Sequence, residues 1–335
     1  MNRRWRLVRV PGAEISASDF ELVEQAARQP EAGEVLLRSV VLSLDPYQRN
    51  WLAGAPGYGT PPRPGDTPLG RAISEVVVSA DRRFAPGDIV LAESGWQSHP
   101  TVGADRLQPL APAPGRLSAY LGVLGSPGLT AWVGMNDICR PERGETVLVS
   151  AAGGAVGSVA AQIALIRGAR VVGVAGAPQK CERVVAEFGL AGCVSHREKD
   201  LAAALARACP DGIDAYFDNT GGRVTAAAWP LLRHGGRVAL CGLVAEYGRG
   251  DVPGPNLLPL LAKRASVRGF SVREHLHRLP EYQRQALDWM RQGRLHDIEN
   301  LVVGIEQVPR AFMAMLSGDT FGKTLVRLGA DPDDG

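Results

Sequence analysis

The chain has little that would point to a metal, a membrane or a nucleic acid. Its 335 residues carry five cysteines, Cys139, Cys181, Cys193, Cys209 and Cys241, and no Cys-x-x-Cys pair. An odd, scattered set argues against a disulfide framework or a structural zinc site. Small core or helix residues are the ordinary role for such cysteines. Formal net charge is only +2. The basic residues are mostly Arg and form no stripe, so neither a nucleic acid nor an anionic membrane is expected as partner. No apolar run approaches a membrane span; 257–262 is among the more apolar patches, and Pro259 interrupts it. Residues 1–11 are charged and hold no apolar h-region, so a cytoplasmic protein without a secretory signal is expected. Hydrophobic residues at 45% and charged residues at 21% are ordinary for a globular protein, and the length favours two domains.

What is present is concentrated in Val147-Leu148-Val149-Ser150-Ala151-Ala152-Gly153-Gly154-Ala155-Val156-Gly157-Ser158. An apolar strand runs into a turn of small residues, which opens a helix rich in Ala, Val, Ile and Leu. Backbone N–H groups and the positive end of a helix then face a gap with no side chains in it, and a pyrophosphate fits there. A second apolar strand, 170–175, follows at the spacing of a βαβ unit.

The first part of the chain reads as strands (35–44, 72–79 and 88–92) separated by Pro- and Gly-rich loops at 54–70 and 111–115. From about residue 118 strands and helices alternate. Strands are expected at 146–150, 170–175, 193–195, 215–218, 237–241 and 266–270. Helices are expected at 156–167, 179–188, 200–208 and 224–233. The fold class is therefore α/β, with a doubly wound parallel sheet. A helix at 280–292, a strand at 301–303, a helix at 308–316 and a strand at 323–328 follow, and this last piece is expected to rejoin the first domain. The acidic tail 329–335 is expected to be disordered.

A carboxylate after the second strand would accept from a ribose 2′-hydroxyl and repel a 2′-phosphate. Here Gly173-Val174-Ala175-Gly176-Ala177 has no acid, and Lys180 and Arg183 follow. That points to NADP(H) as cofactor. Asn219 and the turn Cys241-Gly242-Leu243 end the fourth and fifth strands, where open α/β sheets bind ligands. Asn219 can equally be a turn residue and Asp218 a helix N-cap.

These pieces, with Ser43-Leu44-Asp45-Pro46-Tyr47, Ser94-Gly95-Trp96, Gly125-Ser126-Pro127-Gly128-Leu129-Thr130-Ala131, Tyr216-Phe217-Asp218-Asn219 and Gly318-Asp319-Thr320-Phe321-Gly322-Lys323-Thr324, resemble the zinc-independent medium-chain dehydrogenases/reductases. The likeness is to the branch of prostaglandin and alkenal reductases. It implies a GroES-like β-rich domain at 1–118, rejoined by 297–335, and a Rossmann domain at 119–296. It implies NADPH-dependent reduction of the carbon–carbon double bond of an α,β-unsaturated carbonyl compound. Matching positions assign the pyrophosphate to Gly154, Ala155, Val156 and Gly157, and the 2′-phosphate to Lys180. Asn219, Cys241, Gly242, Leu243, Tyr247, Phe270, Ser271 and Val272 line the rest of the cofactor cleft. A homodimer through the edge strand near Phe270 follows by analogy.

The chain departs from the branch at several places. His196, with Arg197 beside it, stands where a Tyr is common near the adenosine ribose. Ala262 replaces a Tyr of the mammalian prostaglandin reductases, Thr320 an Asn in the last loop, and Arg71 a Gln. A pocket-facing Arg71 would favour an acidic substrate. The zinc-dependent members need Cys and His ligands on the first domain. Here that domain offers His99 and at most Cys139, so no metal is expected.

Hydride addition at the β-carbon leaves an enolate whose oxygen needs hydrogen-bond donors. Tyr47 and Tyr247 are the candidates, since a phenol stays protonated at neutral pH. The α-carbon proton comes from a Tyr or from water. Tyr47, Arg71, Trp96 and Ser126 are the expected pocket residues, and Asp45 is expected to cap the turn before Tyr47. Quinone reduction, a specialised biosynthetic ene-reduction and non-catalytic NADPH binding are the competing readings.

Overall fold

The structure, a computed structural model, describes residues 1–110, 116–249 and 252–329. The loop expected at 111–115 and the tail 330–335 lie outside the described residues. Two compact units are present: Met1–Leu121 with Glu299–Gly335, and Gly122–Ile298.

The first unit opens with a two-stranded antiparallel sheet of β1 (Asn2–Leu7) and β2 (Phe20–Gln25). This pair is not visible in the sequence, because β1 reads Asn-Arg-Arg-Trp-Arg-Leu and buries little beyond its ends. Then come β3 (Glu34–Ser43), the short helix α1 (Tyr47–Leu52), β4 (Arg71–Ser79), β5 (Ile89–Glu93), β6 (Thr101–Gly103) and β7 (Gln108–Pro109).

The second unit contains α2 (Ser126–Val133), which continues as a π-helical turn over Gly134–Cys139. Its parallel sheet is built from β8 (Thr146–Ser150), β9 (Arg170–Ala175), β10 (Gly192–Ser195), β11 (Ile213–Asp218), β12 (Leu232–Leu240) and β13 (Ser266–Gly269). The spatial order is β10-β9-β8-β11-β12-β13. The order reverses between β8 and β11, which opens a crevice at their carboxyl ends. The helices of this unit are α3 (Ala155–Ile166), α4 (Pro178–Phe188), α5 (Leu201–Ala208), α6 (Gly222–Ala228), α7 (Leu258–Lys263) and α8 (Leu279–Arg291). In α4 the buried residues Cys181, Val184 and Phe188 fall on one stripe, and Gly189 ends the helix at φ +70°. The helix expected at 224–233 stops early. After Ala228 a 3-10 turn runs over Trp229–Leu231, and Leu232 already pairs with Ile213. Pro230 lacks the N–H that an α-helix would need there.

The chain then returns to the first unit with β14 (Glu299–Val303), α9 (Val308–Leu316) and β15 (Lys323–Arg327). These complete a seven-stranded sheet in the order β14-β15-β3-β4-β5-β7, with β6 paired to β3 off that path. Phe20, Trp96 and Phe312 form the centre of one of its cores, with Phe20 and Phe312 each 5.2 Å from the Trp96 ring.

Candidate functional site

The turn between β8 and α3 is shaped by close approach. Ala151 adopts φ +50°. Its carbonyl accepts from the Gly154 N–H at 2.8 Å. A Cβ on Gly157 would lie 2.2 Å from that same oxygen, so only glycine fits. Gly154 is the N-cap of α3 and accepts the first helical bond, from Ser158. The amides of Ala155, Val156 and Gly157 are thus first-turn donors without intrahelical acceptors. This is a cradle for a phosphate diester.

The ends of β9 and β10 carry positive charge. His196 is half-buried, and its N–H donates to the Ala175 carbonyl at 2.8 Å. Burial pushes the imidazole below its ordinary value, and the neighbouring cations of Arg197, Arg223 and Lys180 push the same way. Lys180 lies in the first turn of α4. A cluster of cations around a histidine, with no carboxylate among the groups acting on it, suits a dianionic phosphate. Arg223 was missed in the sequence. It follows Gly221-Gly222 at the start of α6 and donates to the Glu198 carbonyl at 2.7 Å. Its distance along the chain from Lys180 hid it.

At the end of β11, Asp218 is an anchor and not the N-cap of α6, which is Gly221. Its Oδ1 accepts from the N–H groups of Thr220 (2.9 Å) and Gly221 (3.0 Å). Its other oxygen accepts from Thr225 Oγ1. Asn219 donates through Nδ2 to the Ser150 carbonyl at 2.7 Å, so much of its side chain is spent on joining β11 to β8. The turn after β12 folds back on the same place. Cys241 and Gly242 both donate to the Asp218 carbonyl, at 2.8 and 3.1 Å. Leu243 covers Gly221, and the Tyr247 hydroxyl sits over Gly242, 3.1 Å from where a Cβ would stand. Burial, followed by the charge of Asp218, pushes the Cys241 thiol up to about 12, which removes it as a nucleophile at neutral pH. Phe270 packs edge-on against Phe217 at 6.5 Å, and Ser271 and Val272 follow it. Ser126 opens α2 in this same unit.

The first unit holds a second cluster. Tyr47 begins α1, and its hydroxyl donates to Glu93 Oε1 at 3.4 Å. Glu93 ends β5 and faces Arg71 across the β4–β5 register, with Arg71 Nε 3.4 Å from Oε2. Burial raises the Tyr47 phenol, and the charges of Glu93 and Asp45 raise it further. Burial also raises Glu93, against the pull of Arg71. The Asp45 side chain, expected to cap the turn before Tyr47, makes no cap bond to α1. Its Oδ1 accepts from Lys323 Nζ at 2.5 Å and Oδ2 from Ser43 Oγ at 2.5 Å. The cause is the buried ammonium of Lys323, which has to be paired. Arg71 is not an unpaired pocket cation, because its Nε lies 3.4 Å from Glu93 Oε2. Trp96 is fully buried between Phe20 and Phe312 and belongs to the core, where it offers no surface to a ligand. Thr320 receives the Thr324 hydroxyl at 3.2 Å. Glu93 and Lys323 escaped the sequence reading, although one flanks Ser94-Gly95-Trp96 and the other lies in the last motif. Nothing local signals a partner that is distant along the chain.

Among the described residues no three His, Cys, Asp or Glu side chains gather as metal ligands. Cys139 is buried, with its thiol pushed up to about 12 chiefly by burial, and it points at the Tyr216 carbonyl. His99 belongs to the other unit, and its Nδ1 lies 3.0 Å from Ser98 Oγ. These donors do not fit a zinc ion.

Comparison with known proteins agrees with this geometry. Residues 3–110 match a domain family described as the N-terminal domain of oxidoreductase, and residues 155–292 match one described as zinc-binding dehydrogenase. The NADPH-dependent curcumin reductase of Escherichia coli is 41% identical over 98% of each chain. The NADP(+)-dependent 2-alkenal reductase of Nicotiana tabacum is 35% identical over 94% of each. The crystal structure of CurA in complex with NADPH from Vibrio vulnificus is 38% identical, with a TM-score of 0.92 over 98% of this chain and 99% of that one. The chain belongs to the medium-chain dehydrogenase/reductase family, in its zinc-independent branch with the curcumin, alkenal and prostaglandin reductases.

Proposed function

We propose that this chain reduces the carbon–carbon double bond of an α,β-unsaturated aldehyde or ketone with NADPH and without a metal. The observation that carries the reading is the Gly157 cradle with the cations that act on His196, in a chain similar over its length to curcumin and alkenal reductases. When bound, NADPH supplies the hydride that adds to the β-carbon. The chain binds and orients. Amides of Ala155, Val156 and Gly157, with Gly154, hold the pyrophosphate. Lys180, His196 and Arg197 hold the 2′-phosphate. Asn219, Cys241, Gly242, Leu243, Phe270, Ser271, Val272 and Thr320 border the rest. Tyr47 and Tyr247 donate to the oxygen on which negative charge develops, and Arg71 and Ser126 border the substrate.

The test is NADPH oxidation followed at its absorbance band against enals, enones and quinones, with product masses. A two-hydrogen mass gain on an enone is expected. Turnover of quinones alone, or NADPH binding with no oxidation in any arm, would overturn the reading.

The protein acts as a cytoplasmic homodimer in this proposal. Five free cysteines suit a reducing compartment. The edge strand β13 is exposed at all four residues, and Leu257, Leu258 and Leu261 are exposed close by in sequence. Sedimentation showing a monomer at micromolar concentration would remove the dimer.

A further inference from the structure

We propose that Glu93 supplies the proton that Tyr47 delivers, and that Arg71 is the positioning residue that aims Glu93 at the phenol. The inference deepens the proposed enone reduction and rests on it for the identity of the proton acceptor.

Three elements converge on this point. The start of α1 presents the Tyr47 phenol, the end of β5 presents the Glu93 carboxyl, and the start of β4 presents the Arg71 guanidinium. One carboxyl oxygen meets the phenol at 3.4 Å and the other meets Arg71 Nε at 3.4 Å. The carboxyl is thus held by both oxygens, one toward a cation and one toward the proposed donor. Asp45, from the turn before α1, is the other charge acting on Glu93, and it is paired with Lys323 of β15. Neither Arg71 nor Lys323 can return a proton to a phenolate as readily as a carboxyl can, because both are far weaker acids. Glu93 accepts from the Tyr47 hydroxyl and combines acidity with an exit to water, since its side chain is 29% exposed. Burial favours its neutral form above the usual carboxylate range. Burial, followed by the charges of Glu93 and Asp45, disfavours the Tyr47 phenolate.

The step balances. After hydride addition the π electrons reside on the substrate's enolate. The Tyr47 O–H bond breaks as an O–H bond forms on the enolate oxygen, and the enol then tautomerises, its O–H proton passing to water as water protonates the α-carbon. The Glu93 carboxyl O–H bond then breaks as the phenol is restored, and the carboxylate takes its proton from water. The proton consumed is the one the overall reduction requires.

The test is Glu93→Gln, which keeps the shape and the hydrogen bond but cannot release a proton. In the wild type, kcat falls as pH rises through the Glu93 value, above the ordinary 4.5. In Glu93→Gln we expect kcat to drop by about 100-fold, at the low end of acid–base effects, with a flat pH profile and KM changed less than about twofold. Glu93→Asp should restore part of the pH dependence. The independent readout uses ligand-free protein labelled at tyrosine Cζ, with the Tyr47 resonance assigned through Tyr47→Phe. That resonance should step with pH in the wild type and lose the step in Glu93→Gln. Equal pH profiles, or an unchanged Tyr47 step in a folded Glu93→Gln protein, overturn the inference. A wild type that reduces no enone overturns the functional reading instead, and the Tyr47 resonance then decides whether Glu93 governs the phenol's proton.

Discussion

Lys323 Nζ lies 2.5 Å from Asp45 Oδ1 and 2.8 Å from the Leu44 carbonyl, so the last strand is tied by charge to the turn that presents Tyr47. The two side chains are 2% and 17% exposed. Removing one partner strands the other charge in a buried place, which costs about 3–5 kcal/mol. Asp45→Asn should therefore lower stability by roughly that amount, and Asp45→Asn with Lys323→Met by less. Urea unfolding of the four proteins of the cycle checks this, and additive losses would show that the pair is not coupled.

Gly157→Ala places a methyl group where the Ala151 carbonyl stands 2.2 Å away. The turn or the helix start has to shift, and the cradle amides move with it. NADPH should bind roughly tenfold or more weakly, since about 1.4 kcal/mol suffices for that. Fluorescence titration measures it, and unchanged affinity would place the pyrophosphate elsewhere.

Lys180→Ala should weaken NADPH binding by roughly 10- to 100-fold, the value of a charge-assisted hydrogen bond of about 1.5–3 kcal/mol. NADH affinity should stay nearly the same. Parallel titrations with both cofactors decide it, and an equal loss for both would take Lys180 away from the 2′-phosphate.

His196 is held below 6.5 by burial and by three cations. An unfolded chain takes up that proton more readily than the folded one. The contribution of His196 to stability is thus present above 6.5 and lost as pH falls through the folded value. A bound dianionic phosphate opposes the cations and raises the imidazole, so NADPH should bind with proton uptake and more tightly as pH falls toward 6.5 and below. Calorimetry in buffers of different ionisation heat reads this uptake, which His196→Gln should abolish.

Tyr47→Phe and Tyr247→Phe should each lower kcat for an enone by about 100-fold or more, the scale of a lost proton donor. Steady-state kinetics checks both, and unchanged kcat in both variants would remove the phenols from the reaction.

The strand–turn–helix at 146–166 was legible because it is contiguous, with residue size and spacing alone dictating the local geometry. Absence of an acid after β9 was legible for the same reason. Less so was the end of α6, where Pro230 outweighed the apolar pattern that suggested a helix to 233. The β1–β2 pair left no trace in the pattern, since its polar residues alternate without a buried face.

By itself the chain of residues determined the parallel sheet, the glycine turn and the positive character at its edge, because those depend on neighbours in sequence. Tertiary structure alone decided that Trp96 is core, that Arg71 meets Glu93, and that Asp45 serves Lys323. Those partners are brought together by strand register and by the return of β15 to β3. A charge in a low-dielectric place answers to whatever the fold sets beside it, and local sequence holds no record of that neighbour.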